Sequence, residues 1–266
     1  MTDASPPPDP HATPTAASPE AIGHNLDSVR GRIAAACRRV DRDPGEVRLL
    51  PVSKTVPEER IRMAYAAGCR YLGENKVQEA MRKHDALPDL DDLKWSIIGH
   101  LQTNKAKHVA RFASEFQALD SLRVAEALDR RLEAEGRTLD VFVQVNSSGE
   151  ASKFGLAPAD VPAFVRELPN YPRLRMLGLM TLALFSSDTE RVRACFVRMR
   201  ELRERLRDAA VDGVSVEELS MGMSGDFEAA TEEGATVVRV GQSIFGARSL
   251  PDTYYWPADN PRTEPQ

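Results

Sequence analysis

A lysine closes an apolar run in this sequence: Leu-Leu-Pro-Val-Ser-Lys-Thr ends on Lys54 and Thr55, directly before a helix start. Counted by twos, Leu50, Val52 and Lys54 share one face of a strand. A lysine at a strand end ordinarily stretches into solvent. One on the core-facing side is placed for amine chemistry, which is condensation with a carbonyl group. Near the other end of the sequence lie two glycine-containing turns, Met-Gly-Met-Ser-Gly-Asp at 221–226 and Gly-Gln-Ser-Ile-Phe-Gly at 241–246. They supply what a phosphate group needs. Gly222 and Gly225 allow close backbone approach, Ser224 offers a hydroxyl, and Gly241 and Gln242 offer N–H donors. The helix expected after Asp226 adds its N-terminus. A reactive lysine, a phosphate cradle and no metal motif together suggest a Schiff base to a phosphorylated carbonyl compound.

Arg239 bears on which compound. It shares a strand face with Val237 and Gly241, which points it inward. A buried guanidinium is costly unless it meets an acceptor. An ion pair with a neighbouring strand is one solution. The nitrogen of a pyridine ring is another. Residue chemistry therefore leaves two sites open: an aldolase for a sugar phosphate, and a pyridoxal 5′-phosphate (PLP) site.

Composition bounds the alternatives. Of 266 residues, 42% are apolar and 28% charged, as in a globular protein with a sizeable core. The net charge of −5 argues against a duplex nucleic-acid binder. The segment 191–207 carries seven arginines, but such a run more often forms a solvated helix face. No stretch is apolar enough to predict a membrane span. Cys37, Cys69 and Cys195 lie far apart with no metal-ligand or CxxC spacing, and the histidines form no HExxH pair. A reduced, cytoplasmic setting without a metal is expected. Six prolines among the first nineteen residues, with few large apolar side chains, predict a disordered tail over 1–18. The segment 251–266 is also proline-rich, and its Tyr254, Tyr255 and Trp256 are candidates to pin its start onto the body.

The elements that must position these residues alternate. A helical pattern over 20–41 repeats Ile22, Leu26, Val29, Ile33 and Cys37. Eight short β-type runs follow, at 47–53, 69–72, 93–98, 116–119, 139–145, 175–181, 218–221 and 236–240, with helical patterns between them. The even spacing predicts an α/β fold, a (β/α)8 barrel of TIM type with an extra N-terminal helix, as a single domain over 19–250. An open doubly wound sheet is the alternative, but no GxGxxG follows the first strand. In a barrel, function gathers at the C-terminal ends of the strands. The candidates there are Lys54, Glu74, Asn75, His100, Gln102, Asn104, Asp120, Ser121, Asn146 and Ser147, with the two glycine turns.

The strings VSKT, YLGENKVQE, IGHLQTNK, VNSSGEASKFGL, GLMTLA and LSMGMSGDFEAATEEGATVVRVGQSIFGAR closely resemble the pyridoxal phosphate homeostasis protein family across residues 29–248. The resemblance implies a fold-type III PLP barrel, like the N-terminal domain of alanine racemase. It implies that Lys54 is the lysine that carries the cofactor and that Asn75 lies beside the ring. It further implies that Ser224, Gly241 and Gln242 form the phosphate cup, and that Arg239 faces the ring nitrogen. Two places depart from the family pattern. Ser96 and Ile97 replace an aromatic–polar pair before the third-strand IG, and Phe154 stands where smaller residues are common.

A racemase needs acid/base groups on both faces of the substrate carbon. Lys54 supplies one. The residues after Leu250 are too few for the β-domain of alanine racemase, and Tyr65, Tyr71 and Tyr171 fall away from expected strand ends. An arginine at the ring nitrogen mutes carbanion chemistry. The expectation is a monomeric cytoplasmic PLP carrier or buffer, with little or no catalysis, that serves apo forms of PLP enzymes and binds neither nucleic acid nor membrane. A single-domain amino-acid racemase is the alternative.

Overall fold

The computed structural model describes residues 16–150 and 152–246. Eight parallel strands run β1 (Arg48–Pro51), β2 (Tyr71–Glu74), β3 (Lys94–Ile97), β4 (Glu115–Leu119), β5 (Leu139–Val145), β6 (Leu174–Thr181), β7 (Glu218–Ser220) and β8 (Val237–Val240). Their order in the sheet is β1-β8-β7-β6-β5-β4-β3-β2. A parallel bridge between Val52 and Gly73, with the Ser53 N–H donating to the Gly73 carbonyl at 3.0 Å, joins β1 to β2. The sheet therefore closes on itself, which makes it a (β/α)8 barrel and rules out the open sheet.

The strands begin and end within two residues of the sequence expectation. β2 shifts furthest, to Tyr71–Glu74 instead of 69–72. Gly73 and Glu74 read as loop in the sequence, but both are fully paired strand residues facing β3.

Helices α2 (Glu58–Ala66), α3 (Val77–Ala86), α4 (Ala106–Phe112), α5 (Leu122–Ala134), α6 (Val161–Glu167), α7 (Thr189–Ala209) and α8 (Phe227–Glu232) follow the first seven strands. After β8 the chain makes only the short α9 (Gln242–Phe245). The place of an eighth outer helix is taken by α1 (Pro19–Arg39), which packs against α2, α8 and α9. Its apolar stripe Ile22, Leu26, Val29, Ile33 and Cys37 is buried throughout. Ser18 caps it, accepting the Ala21 N–H at 3.2 Å, and Pro19 occupies the first turn. Ala16 is buried and its carbonyl accepts from Arg60 Nε at 3.1 Å. Residues 16–18, which the sequence placed in a disordered tail, are thus part of the body. The rest of that tail, and Tyr254, Tyr255 and Trp256, lie outside the described residues.

Of the arginines of α7, Arg191, Arg198, Arg205 and Arg207 are exposed, as on a solvated face, while Arg193 and Arg200 are half-buried against α8. Arg193 donates to Glu232 (2.5 Å) and Glu233 (2.8 Å), and Arg200 to Glu233. From the other side Arg39 reaches Glu232 (2.6 Å) and Arg32 clasps Glu228 (2.9 Å). The acidic edge of α8 is thus held between α1 and α7. Each such pair contributes on the order of 0–1 kcal/mol, against about 2 kcal/mol for one buried leucine of α1. Packing docks these helices and charge sets their register. The apolar core lies between sheet and helices, where Leu72, Ile97, Phe116, Ile61, Leu128 and Phe196 are fully buried.

Gly178 of β6 is opposite Glu218 of β7, and a Cβ there would stand 1.8 Å from the Glu218 carbonyl oxygen. Gly178→Ala must push the two strands apart, so we expect a loss of about 3 kcal/mol. Urea unfolding measures it, and an unchanged midpoint would mean that the strands separate freely.

Candidate functional site

Beyond Pro51 the chain keeps the path of β1 through Val52 and then turns over Lys54 and Thr55, where the Val56 N–H donates to the Ser53 carbonyl at 2.9 Å. Val52 N–H donates to the Val240 carbonyl at 2.9 Å, which keeps β1 beside β8. The Ser53 hydroxyl turns outward and donates to Glu74 at 2.7 Å. The half-buried Lys54 lies in that turn, at the C-terminal end of β1. Asn75 follows β2 directly, and Gly241 and Gln242 follow β8 directly. A Cβ added at Gly241 would sit 3.1 Å from the Val52 carbonyl oxygen, so the β8 turn presses on the strand that leads to Lys54. The β7 turn joins them, since Arg239 N–H donates to the Gly222 carbonyl at 3.0 Å. The sequence candidates Lys54, Asn75, Ser224, Arg239, Gly241 and Gln242 therefore occupy the same end of one barrel.

The two glycine turns carry the donors expected of a phosphate cup. Asp226 Oδ1 accepts the Met223 N–H at 2.5 Å and shapes the first turn. Among the described residues the N–H groups of Ser224, Gly225, Gly241, Gln242 and Ser243 have no backbone or side-chain acceptor. Unpaired donors at the ends of two adjacent strands, with the Ser224 and Ser243 hydroxyls, suit the oxygens of a phosphate ester.

Arg239 is buried, with relative exposure of 3%. Its Nη1 donates to Ser220 Oγ and its Nη2 to the Thr181 carbonyl, both at 2.6 Å. Both partners are neutral oxygens, and among the described residues no carboxylate is in contact with it. The ion-pair alternative is thereby corrected. Burial lowers the guanidinium to about 10, against the opposing pull of the Asp226 and Glu115 charges, so it remains a cation at neutral pH.

Behind it runs a chain of hydrogen bonds through the barrel interior. Ser220 Oγ donates to Gln117 Oε1 (2.6 Å), and Gln117 Nε2 donates to Glu115 Oε1 (2.5 Å). Ser96 Oγ donates to Glu115 Oε1 (2.7 Å), and Arg48 Nη2 to Glu115 Oε2 (2.6 Å). Sequence reasoning missed this chain. Ser96, Gln117 and Ser220 are ordinary polar members of alternating strands, and only the closed barrel turns them inward.

Other candidates move. Glu74, expected at the mouth, is fully buried on the outer face of β2, bonded to Ser53 and to Lys83 of α3. Its outward turn follows from alternation with Gly73, which faces Leu50 in the interior. His100 and Asp120, at the ends of β3 and β4, come together with Nδ1 3.4 Å from Oδ2. The His100 ring stacks on Phe154 at 4.1 Å and 11°. Burial pushes the Asp120 carboxyl up, and His100 pulls it back. Asn146 organises its own loop, donating to the Glu150 carbonyl at 2.8 Å. Tyr65 bonds Asp92, Tyr71 opens β2 at the far end of the barrel, and Tyr171 ends the turn after α6. None of these three tyrosines stands at the mouth.

Gln117→Leu removes both links in the middle of the interior chain and leaves Ser220 Oγ without its acceptor. We expect a stability loss of about 1–3 kcal/mol with an unchanged urea dependence. Wild-type stability in that variant would mean that water or a rearranged side chain replaces the bond without cost.

Comparison with known proteins agrees with this geometry. The family described as "Alanine racemase, N-terminal domain" matches residues 20–249. A Pyridoxal phosphate homeostasis protein of Pseudomonas aeruginosa is 43% identical over 227 residues, which cover 85% of this chain and 96% of that one. The protein of the same name from Escherichia coli is 40% identical over 229 residues, covering 85% and 97%. The structure of PipY from Synechococcus elongatus with PLP bound has a TM-score of 0.73 and 36% identity, covering 85% of this chain and all of that one. Alanine racemase from Corynebacterium glutamicum, at 16% identity and a TM-score of 0.65, covers 89% of this chain and 63% of its own and shares the fold. The chain belongs to the pyridoxal phosphate homeostasis protein family, built on the alanine racemase N-terminal-domain barrel.

Proposed function

We propose that this chain binds PLP at the barrel mouth and serves PLP homeostasis as a carrier or buffer rather than as an enzyme. The observation that carries the reading is Arg239: a buried cation with neutral partners, at the mouth end of β8, beside the strand that leads to Lys54. When bound, PLP supplies an aldehyde for an amine and a pyridine ring that withdraws electrons. The residues fit it. Lys54 offers the amine. Ser224, with the N–H groups of Gly241 and Gln242, holds the phosphate, and Asn75 flanks the ring.

Arg239 would face the ring nitrogen. A guanidinium has no acceptor atom and stays charged, so a nitrogen facing it would stay unprotonated. An unprotonated ring withdraws electrons weakly, and among the described residues no tyrosine stands opposite Lys54. Both features support binding without turnover. The names of the relatives support a homeostasis role, and PLP in the PipY structure supports the ligand. The reading extends to one barrel over 19–250 acting as a monomer, with delivery of PLP to apo-enzymes. Free, buried Cys37, Cys69 and Cys195 support a reducing cytoplasmic setting. A single-domain racemase is the second reading, favoured by the His100–Asp120 pair, which places an acid/base couple at the mouth.

Borohydride reduction of the PLP-loaded protein should leave one pyridoxyl label, on Lys54, as read by peptide mapping. A label on Lys76, Lys105 or Lys153 instead would overturn the assignment. Pyridoxal without its phosphate should bind at least about tenfold more weakly. With L- or D-amino acids, racemisation on the order of one per second or faster would favour the second reading, and its loss in His100→Ala would locate the second base.

A further inference from the structure

A buried ion cluster lies directly behind Lys54, on the side away from the mouth. Lys83 of α3 is fully buried. Its Nζ donates to the Ser53 carbonyl, to Glu74 Oε1 and to Glu79 Oε1, each at 2.7 Å. An ammonium group has three protons to donate, so all three have acceptors. Glu79 Oε1 also accepts the Thr55 N–H at 2.7 Å, and Glu74 Oε1 accepts the Ser53 hydroxyl at 2.7 Å. The carbonyl of the residue before Lys54 and the N–H of the residue after it are therefore tied to the same three side chains.

Thr55 is held at φ +64°, in the left-handed region. A β-branched residue there is an outlier that persists only where its surroundings over-determine it. The cluster supplies that determination. Stability alone does not call for it, because apolar residues of similar volume commonly replace a buried ion cluster without loss. The geometry suits specification of one backbone path. Lys54 is the residue between the two tied peptides, in the turn that the Val56 N–H closes on the Ser53 carbonyl.

We infer that Glu79, Lys83 and Glu74 are positioning residues, clamping the peptides on either side of Lys54 so that its amine meets the carbonyl carbon of the ligand. The inference rests on the reading of Lys54 as the amine that binds PLP.

The test compares PLP with pyridoxine 5′-phosphate, which keeps ring and phosphate but has no aldehyde. Glu79 retains some exposure, 21% of its side chain, so Glu79→Ala is the mild variant. It should bind PLP about tenfold more weakly and be labelled by borohydride more slowly, with pyridoxine 5′-phosphate affinity unchanged within about twofold. Glu79→Gln keeps an oxygen for the Thr55 N–H and should restore most of the difference. In the ligand-free protein, hydrogen exchange at the Thr55 amide should quicken in Glu79→Ala and not in Glu79→Gln. Equal weakening of both ligands, or unchanged PLP affinity in Glu79→Ala, overturns the clamp. If Glu79→Ala does not fold, Glu79→Asp substitutes for it: its shorter side chain withdraws the carboxylate from the Thr55 N–H and should weaken PLP selectively, while wild-type PLP affinity again overturns the clamp. A wild-type protein that binds PLP no better than pyridoxine 5′-phosphate and takes no label on Lys54 would instead refute the underlying reading, whatever the variants do.

Discussion

A guanidinium sealed inside a barrel dictates what surrounds it. Arg239 must direct its donors at acceptors or lose several kcal/mol, and a carboxylate in contact would neutralise it and end its availability. The barrel meets this with neutral oxygens from two other strands, Ser220 of β7 and Thr181 of β6. Ser220 is in turn fixed by Gln117, and Gln117 by Glu115, whose charge is met by Arg48 near the far end. A chain of this kind rigidifies when it is complete and is costly when one member is missing. A polar axis thus runs through the interior of this barrel beside apolar members such as Leu50, and a further apolar core lies between sheet and helices.

The outer layer serves the same end. The β7 and β8 turns are followed by short helices that cannot anchor themselves, six residues in α8 and four in α9. α1 supplies the missing wall. Its Asn25 donates to the Ile244 carbonyl at 2.9 Å, and its arginines meet the acidic edge of α8. With α7 pairing from the opposite side, both glycine turns are carried on elements that are held from without. The backbone N–H groups at their tips keep fixed directions, as recognition of an anion requires.

Much of this was legible in the sequence for a physical reason. Period-two patterns report which face of a strand is inner, so Arg239 was readable as an inward residue near a strand end, and the stripe of α1 was readable from its spacing. The glycine turns were readable as turns because glycine tolerates the left-handed backbone that Gly222 adopts at φ +93°. What stayed hidden depends on closure. Ser96, Gln117 and Ser220 are unremarkable until eight strands bring them to one axis. Glu74 sat beside Asn75 in the sequence and was grouped with it, but adjacent strand residues face opposite ways. Its partner Lys83 is nine residues on, and nothing in that spacing marks a buried pair. His100 and Asp120 meet only because β3 and β4 are neighbours. The left-handed Thr55 carries no sequence signal, since threonine is a poor choice for that conformation.

The central claim is that Arg239 faces the ring nitrogen of bound PLP and keeps it unprotonated. Nitrogen-15 NMR of PLP labelled in the ring and bound to the protein tests this directly. The account predicts the resonance of a neutral pyridine, unchanged through the pH range in which the ring nitrogen of free PLP titrates. A bound nitrogen that carries a proton at neutral pH would contradict it.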